Sequence, residues 1–147
     1  MKITDDPVVI EQLFEVSIDQ LWNAITDLKQ MKQWFFENIE AFEPKVGFKT
    51  SFIIENEDRI FPHLWHITAV EPFKKITYNW KYEGYDGNST VTFELAEHKN
   101  GSKLKVSHQV IETFPQDIPE FRRESCKDGW EWFIKNRLKD YLSGKNA

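Results

Sequence analysis

Two polar residues interrupt apolar patterns in this sequence, and both carry side chains that can hold a ligand. His108 shares one face of a predicted strand with Leu104 and Val106, and Arg137 falls on the apolar side of a predicted helix. A core histidine is commonly satisfied by a hydroxyl or carbonyl group, and such an arginine reaches solvent, pairs with an acid or meets an anionic or carbonyl group of a ligand. If both side chains point into one cavity, we expect them to anchor the polar end of its ligand.

The sequence offers few patterns that indicate catalysis or metal binding. It contains no G-x-S-x-G nucleophile elbow, phosphate-binding loop, H-E-x-x-H motif or pair of cysteines. His63 and His66 are three residues apart, which places them on opposite faces of a strand. Nothing local activates Cys126, so we expect a buried structural thiol. We therefore predict no catalytic residue, no metal site and no cofactor; an enzymatic alternative would use His108 or Tyr82 as general acid or base.

The size of the chain favours a single domain, residues 1–147, with a full hydrophobic core. A chain of 147 residues buries about 68–70% of the surface that it exposes when unfolded. The single cysteine cannot form an intramolecular disulfide, and the opening MKITDDPVVI lacks the basic and apolar regions of a secretory signal. These features predict a cytoplasmic protein, and the lack of an apolar run of roughly 18–20 residues predicts no membrane insertion.

Charge is distributed unevenly along the chain. Residues 121–147 contain seven basic and four acidic residues, which leaves 12 basic and 20 acidic ones in residues 1–120. The acidic bulk argues against binding to nucleic acid or to anionic membranes. The basic C-terminal stretch is typical of a solvated helix face, with electrostatic selection of a partner as the alternative.

The first part of the chain predicts a strand followed by two short helices. Residues 8–16 alternate between apolar and polar as a strand does. Ser17 and Gln20 form the S-x-x-Q pattern of a capping box, so we expect a helix from Ile18 to Asp27. Helical spacing of apolar residues continues to Phe35 and predicts a second short helix.

From about residue 39 to residue 111 the period falls to two, which predicts a meander of antiparallel strands. Asn100-Gly101 is a strong hairpin signal within it. The expected inner faces of the strands are Phe48, Thr50, Phe52 and Ile54; Ile76, Tyr78, Trp80 and Tyr82; Val91, Phe93 and Leu95; and Leu104, Val106, His108 and Val110.

A long amphipathic helix is predicted at the C-terminal end. Its apolar stripe runs from Cys126 to Leu142. Gly129 inside this helix costs roughly 1 kcal/mol relative to alanine, so we expect either a close approach to the sheet or a ligand there, or a break at Asp128-Gly129. Together the elements predict an α+β fold in which a curved antiparallel sheet wraps around the C-terminal helix.

Large aromatic residues occupy many of the predicted inner positions and indicate a ligand cavity. Large rings on a curved sheet leave room that smaller side chains would fill, and apolar clefts with a few polar groups are typical ligand sites. A plain aromatic core is the alternative, since aromatic stripes are commonly packing. The predicted ligand-binding residues are Trp22, Trp34, Phe35, Phe52, Trp80, Tyr82, Phe93, His108, Trp130, Phe133 and Arg137.

Four segments make the chain resemble the helix-grip SRPBCC/START-like superfamily, and within it proteins similar to the C-terminal domain of the activator of Hsp90 ATPase. They are VSIDQLWNAITDLKQMKQWF, ITAVEPFKKITYNW, VTFELAEHKNGSKLKVSHQV and GWEWFIKNRLKDYL. The resemblance implies a START-like (Bet v 1-like) fold, in which the sheet grips the long helix. It also implies a cavity between them that in relatives receives lipids, sterols or polyketides, and it supplies no universal catalytic residues.

Three functions follow from the residues and from the resemblance. The first is a non-enzymatic domain that binds a hydrophobic small molecule, of lipid, sterol or polyketide type. The second is a co-chaperone-type module whose basic C-terminal helix or aromatic short helices dock on a chaperone. The third is an enzyme similar to the cyclases and dehydratases of the superfamily. We expect a monomer, or a homodimer formed through exposed rings such as Phe36, Phe61 or Trp132.

Overall fold

The structure is a computed structural model that describes residues 1–144. Lys145, one of the basic residues of the C-terminal stretch, lies outside the described residues. The elements in chain order are β1 (Val8–Phe14), α1 (Ile18–Thr26), α2 (Leu28–Trp34), β2 (Lys49–Asn56), β3 (Arg59–Glu71), β4 (Lys75–Tyr82), β5 (Asn88–His98), β6 (Gly101–Glu112), a 3-10 turn (Pro119–Phe121), α3 (Arg123–Glu131), a π-helical segment (Trp132–Leu138) and α4 (Lys139–Leu142). The last three pieces follow one another directly, and we call them the C-terminal helix.

The six strands within residues 1–144 form one antiparallel sheet in the order β1-β6-β5-β4-β3-β2. This arrangement, with two short helices after β1 and a long helix packed on the sheet, confirms the predicted α+β helix-grip fold. The alternation in β4, β5 and β6 is also confirmed, because the expected inner residues of these strands are buried, apart from the half-buried Tyr82. Strand β3 adds four inner residues that the sequence analysis did not assign: Phe61, His63, Trp65 and Ile67.

Capping residues fix the two short helices where the sequence predicts them. The Ser17 hydroxyl accepts a hydrogen bond from the Gln20 N–H at 3.2 Å, and the Gln20 side chain accepts one from the Ser17 N–H at 3.3 Å. Asp27 ends α1 and then caps α2 by accepting from the Gln30 N–H at 3.2 Å. The capping box is therefore confirmed.

The chain between α2 and β2 differs from the predicted meander. Residues 35–48 form neither helix nor strand, and the first strand of the meander begins at Lys49 rather than near residue 39. We call this stretch the α2–β2 connection. It places Phe35, Phe36 and Phe42 against the concave face of the sheet.

The C-terminal helix continues through Gly129, so the expected break at Asp128-Gly129 is wrong. A close approach to the sheet is also wrong as the reason for this glycine, because a Cβ built on it would meet no described heavy atom within 4 Å. The helix instead departs from regularity at Trp132–Leu138, which is π-helical. Segments of this kind are rare and frequently lie at functional sites.

Two hydrophobic clusters make up the interior of the part of the chain that the structure describes. The larger one lies between the sheet, α1, α2 and the C-terminal helix. The smaller one contains Met1, Phe61, Val110, Phe114 and Phe121. Phe61 is 4% exposed, so its expected place in an exposed dimer patch is wrong; Trp132 is 51% exposed, and Phe36 is half-buried.

Candidate functional site

The predicted ligand-binding residues lie on the facing surfaces of the sheet, the short helices and the C-terminal helix. The sheet supplies Phe52, Trp80, Tyr82, Phe93 and His108; the short helices and the cap of α2 supply Trp22, Trp34 and Phe35; the C-terminal helix supplies Trp130, Phe133 and Arg137. Eight of the eleven are buried, and Tyr82, Phe133 and Arg137 are half-buried.

Phe35 lies where rings from the different elements meet. It stacks on Trp34 with ring centroids 4.7 Å apart and meets Phe133 edge to face at 4.9 Å. Its other ring neighbours include Trp80 at 6.2 Å and Trp130 at 5.7 Å. We call Phe35 and the rings around it the Phe35 cluster, which consists of Trp34, Phe35, Phe36, Trp65, Trp80, Trp130 and Phe133.

The remaining predicted rings flank this cluster. Phe52 packs on Trp65 at 4.8 Å, and Phe93 meets Trp130 edge to face at 5.8 Å. Trp22 contacts Phe73, in the turn between β3 and β4, at 5.8 Å. Sequence periodicity therefore selected the correct side of each element, but not which rings meet.

His108 is the centre of a buried hydrogen-bond relay between the sheet and the C-terminal helix. Trp130 donates its indole N–H to Nδ1 of His108 at 3.0 Å. Because Nδ1 accepts, the ring proton is on Nε2, which donates to the Ser89 hydroxyl at 2.8 Å. Ser89 in turn donates to the carbonyl of Trp80 at 2.7 Å. Both ring nitrogens of His108 thus have protein partners, as expected for a core histidine.

Burial moves the pKa values of the titratable groups near this relay away from 7. It lowers the pKa of His108 to about 4 and raises the pKa of Tyr82, whose hydroxyl accepts a hydrogen bond from the Trp80 indole at 2.9 Å. Burial also raises the pKa of the Cys126 thiol to about 12, and its Sγ lies 3.3 Å from Nδ1 of His108. Cys126 is half-buried rather than buried as predicted, and its raised pKa gives it the protonated, unreactive character of a structural thiol.

Arg137 is bound to the backbone of α2. Its Nη donates to the carbonyl of Gln33 at 2.8 Å, and Gln33 lies in the last turn of that helix. The guanidinium therefore interacts with carbonyl groups that a helix C-terminus leaves without internal partners. A ligand would have to compete with this carbonyl for Arg137.

Two further residues of the concave face, Trp65 and Tyr78, are not among the predicted ligand-binding residues, although Tyr78 lies on the expected inner face of β4. They are 2% and 0% exposed, and among residues 1–144 neither the Trp65 indole N–H nor the Tyr78 hydroxyl has a hydrogen-bond partner. Their rings lie 5.0 Å apart on neighbouring strands. Alternation along β3 would have placed Trp65 on this face, but no sequence signal shows which polar groups stay unpaired.

The interior of the described chain contains no charged side chain. Its buried polar residues are Thr26, His63, Ser89, Ser102 and His108. Burial lowers the pKa of His63 to about 4, so both buried histidines are neutral at pH 7. Within residues 1–144 no group of three or more His, Cys, Asp or Glu side chains can hold a metal ion, and no helix is long and apolar enough to cross a membrane.

A large surface groove lies away from the Phe35 cluster. Its volume is about 1310 Å³, and it is formed by residues 11–16, the hairpin at residues 98–101, Lys103 and the end of the C-terminal helix. None of the eleven predicted ligand-binding residues lines it. The groove and the candidate site are therefore separate features.

Comparison with known families gives a match over most of the chain. A family model described as "Activator of Hsp90 ATPase homolog 1-like protein" matches residues 15–143. No curated protein sequence matches the chain.

Solved structures share the fold. DynU16, a protein in the dynemicin biosynthetic locus, has a TM-score of 0.75 at 24% identity; the match covers 96% of this chain and 48% of DynU16, so this chain spans about half of that protein's length. CalU16 from Micromonospora echinospora has a TM-score of 0.66 at 26% identity, with 92% and 73% covered. Aha1 from Colwellia psychrerythraea, whose solution structure is a dimer, has a TM-score of 0.68 at 17% identity, with 92% and 95% covered.

Proposed function

This chain belongs to the Activator of Hsp90 ATPase homolog 1-like family, and from that premise we propose that it is a non-enzymatic domain that binds a hydrophobic small molecule between the sheet and the C-terminal helix. The molecule is of lipid, sterol or polyketide type. The proposed lining is the set of eleven residues predicted from the sequence, with the polar contacts of His108 and Arg137 available only where a ligand replaces the partners that they already have.

The observation that carries this proposal is that two of the rings in the interior come from the α2–β2 connection and not from a strand or a helix. Phe35 and Phe36 belong to the α2–β2 connection, which has no regular secondary structure. Phe36 packs on Phe52 of the sheet at 5.2 Å and on Phe133 of the C-terminal helix at 4.9 Å. A flat apolar ligand can replace these two rings without breaking a strand or a helix, since connecting segments move more easily than the elements they join.

The π-helical segment supports the same location. Phe133 lies in this segment and packs edge-on against Phe35 at 4.9 Å. A local irregularity that faces the rings of the connection is consistent with a site that changes shape when it is occupied.

The titration of the nearby groups favours binding over catalysis. A general acid or base works best with a pKa near the operating pH, whereas burial lowers the pKa of His108 to about 4 and raises the pKa of Tyr82. Both groups are also hydrogen-bonded within the protein. We therefore assign them structural roles in this proposal.

The test is native mass spectrometry of freshly purified protein together with naphthalene titrations of wild type and two variants. We expect a small-molecule adduct that is lost on denaturation, and tighter naphthalene binding by Phe35→Ala, because removal of this ring opens space in the cluster. Trp132→Ala is the control, since it removes an exposed ring from the same helix. The absence of an adduct, with no naphthalene binding to wild type or Phe35→Ala, would overturn the proposal.

A second proposal is the co-chaperone-type module, and the exposure of Trp132 is the observation that favours it. Trp132 is 51% exposed on the C-terminal helix, whereas Trp22, Trp34 and Phe35 of the short helices are at most 5% exposed. A docking surface in this conformation would therefore use the helix rather than the aromatic short helices. This proposal predicts that the protein changes the ATPase rate of a purified Hsp90 homologue and that Trp132→Ala reduces the change; an unaltered rate at saturating protein would exclude it.

A further inference from the structure

Trp65 and Tyr78 differ from the other polar groups of the interior. Trp34 donates its indole N–H to the carbonyl of Ala24 at 2.7 Å, and the indoles of Trp80 and Trp130 have the partners described above. Thr26 and Ser102 also bond to backbone carbonyls. Among the described residues, only the Trp65 indole N–H and the Tyr78 hydroxyl are buried side-chain groups without a partner. Such groups are rare in folded proteins because no hydrogen bond offsets the free-energy cost of their desolvation, and each one requires an explanation.

The rings that carry the two unpaired groups are neighbours on the sheet. Trp65 is in β3 and Tyr78 is in β4, and their ring centroids are 5.0 Å apart. Two donors on adjacent strands can serve one acceptor, because a carbonyl oxygen has two lone pairs. The contact between the two rings therefore lets both groups serve one bound molecule.

A ring of the α2–β2 connection contacts both the Trp65 and the Tyr78 rings. Phe42 meets Trp65 edge to face at 6.3 Å and Tyr78 at 6.1 Å. It is 7% exposed. Phe42 and Phe35 therefore play similar roles. Both rings come from the α2–β2 connection, and both fill space against the sheet.

The lack of charged side chains in the described interior limits the class of molecule that can bind there. The described interior has no Lys or Arg that would neutralise an anion and no Asp or Glu that would neutralise a cation. Burial of an unpaired charge is strongly unfavourable. The space beside Trp65 and Tyr78 therefore suits an uncharged molecule.

We propose that the Trp65 indole N–H and the Tyr78 hydroxyl are the polar contacts of the ligand site, and that they select an uncharged apolar molecule whose carbonyl oxygen accepts from both once Phe42 moves aside. This inference rests on the proposed binding function and specifies the chemistry of its ligand. In this site the polar group of the ligand contacts strands β3 and β4, and not His108 and Arg137.

The test uses three probes with the same ring system. They are 2-acetylnaphthalene, which carries the carbonyl; 2-isopropylnaphthalene, which has a similar shape without it; and 2-naphthoate, which is anionic at pH 7. Binding is followed by NMR titration, with the indole N–H resonance of Trp65 assigned by its loss in Trp65→Phe. We expect about tenfold tighter binding of the ketone than of the hydrocarbon and weaker binding of naphthoate than of the ketone. We also expect the Trp65 resonance to lie further downfield with the ketone than with the hydrocarbon, because a hydrogen bond adds to the ring-current shift that both probes cause.

Two variants separate the hydrogen bond from packing. Tyr78→Phe keeps the ring and removes the hydroxyl, so it should weaken ketone binding about tenfold and leave hydrocarbon binding unchanged. Tyr85→Phe is the matched control, because its hydroxyl donates to the Ile60 carbonyl outside the site, and it should bind both probes as wild type does.

The possible failures are distinguishable. Equal binding of ketone and hydrocarbon by wild type, with no effect of Tyr78→Phe, would overturn this inference and leave the binding function intact. Tighter binding of naphthoate than of the ketone would overturn the uncharged class. No binding of any of the three probes would overturn both the inference and the function on which it rests.

Discussion

Trp130 of the C-terminal helix donates its indole N–H to Nδ1 of His108 in β6, at 3.0 Å. This bond joins two residues that are 22 positions apart and lie on opposite sides of the interior. Because the same histidine donates to Ser89 in β5, it fixes one position of the helix against two strands. The relay is therefore a structural link between the two halves of the grip.

The relay predicts a large effect for a small change at Ser89. Ser89→Ala removes the acceptor of His108 and the donor to the Trp80 carbonyl, and Ser89 is fully buried. We expect the free energy of unfolding to fall by about 1–3 kcal/mol, the cost of leaving a buried polar group unpaired. Ser107→Ala, on the other face of β6, should stay within about 0.5 kcal/mol of wild type. Urea unfolding measures both, and equal effects would argue against the relay.

The two buried histidines predict a loss of stability in mild acid. Their pKa falls from 6.5 to about 4 on folding, so between these pH values the unfolded chain binds more protons than the folded one. The free energy of unfolding should therefore decrease as the pH falls from 6.5 to 4, by on the order of 3 kcal/mol for each histidine.

Variants assign this pH dependence to its source. His63→Gln should reduce the decrease by about half, because one of the two buried imidazoles is gone. His66→Gln, on the opposite face of β3, retains both and should keep the wild-type decrease. Denaturant unfolding at several pH values provides the measurement, and an unchanged decrease in His63→Gln would contradict the assignment.

Cys126 should react slowly with alkylating reagents. Burial raises the pKa of its thiol to about 12, and only the thiolate is nucleophilic. We expect iodoacetamide at pH 7.5 to modify the folded protein much more slowly than the same chain in guanidinium chloride, as followed by mass spectrometry. Similar rates in the two states would show that the thiol is accessible and activated.

Removal of the Tyr78 hydroxyl should not destabilise the ligand-free protein. The hydroxyl is fully buried and has no partner in the described part of the chain, so Tyr78→Phe should raise the free energy of unfolding by about 1 kcal/mol. Tyr85→Phe loses a hydrogen bond of 2.9 Å to the Ile60 carbonyl and should lower it by about 1 kcal/mol. Thermal unfolding compares the two, and a loss in Tyr78→Phe equal to that in Tyr85→Phe would mean that the hydroxyl is paired.

Two glycines should respond in opposite directions to alanine. At Gly129 the helix offers open space for a methyl group, so Gly129→Ala should stabilise the protein by about 1 kcal/mol through helix propensity. At Gly101 a Cβ would lie 2.1 Å from the carbonyl oxygen of Phe14, so Gly101→Ala must displace β1 and should destabilise the protein. Unfolding measurements on both variants test this, and a destabilised Gly129→Ala would indicate a role for that glycine outside the helix itself.

The sequence alone determined most of the elements and the inner faces of several of them. Ser17 and Gln20 marked the start of α1, alternation identified the buried side of β4, β5 and β6, and helical spacing identified the C-terminal helix. These features are local: a cap involves residues three positions apart, and a period reports which side of an element is apolar. For the same reason they placed the eleven candidate residues on inner surfaces.

The tertiary structure alone decided which atoms meet across those surfaces. Arg137 lies on the apolar side of its helix, yet its partner is the Gln33 carbonyl, 104 residues away. His108 obtained its partners when the helix and the connection docked on the sheet, and the Trp65 indole N–H and the Tyr78 hydroxyl remained without any among residues 1–144. Periodicity cannot report these outcomes, because a hydrogen bond between distant residues depends on the relative position of whole elements. That position is fixed only by the packing of the complete core.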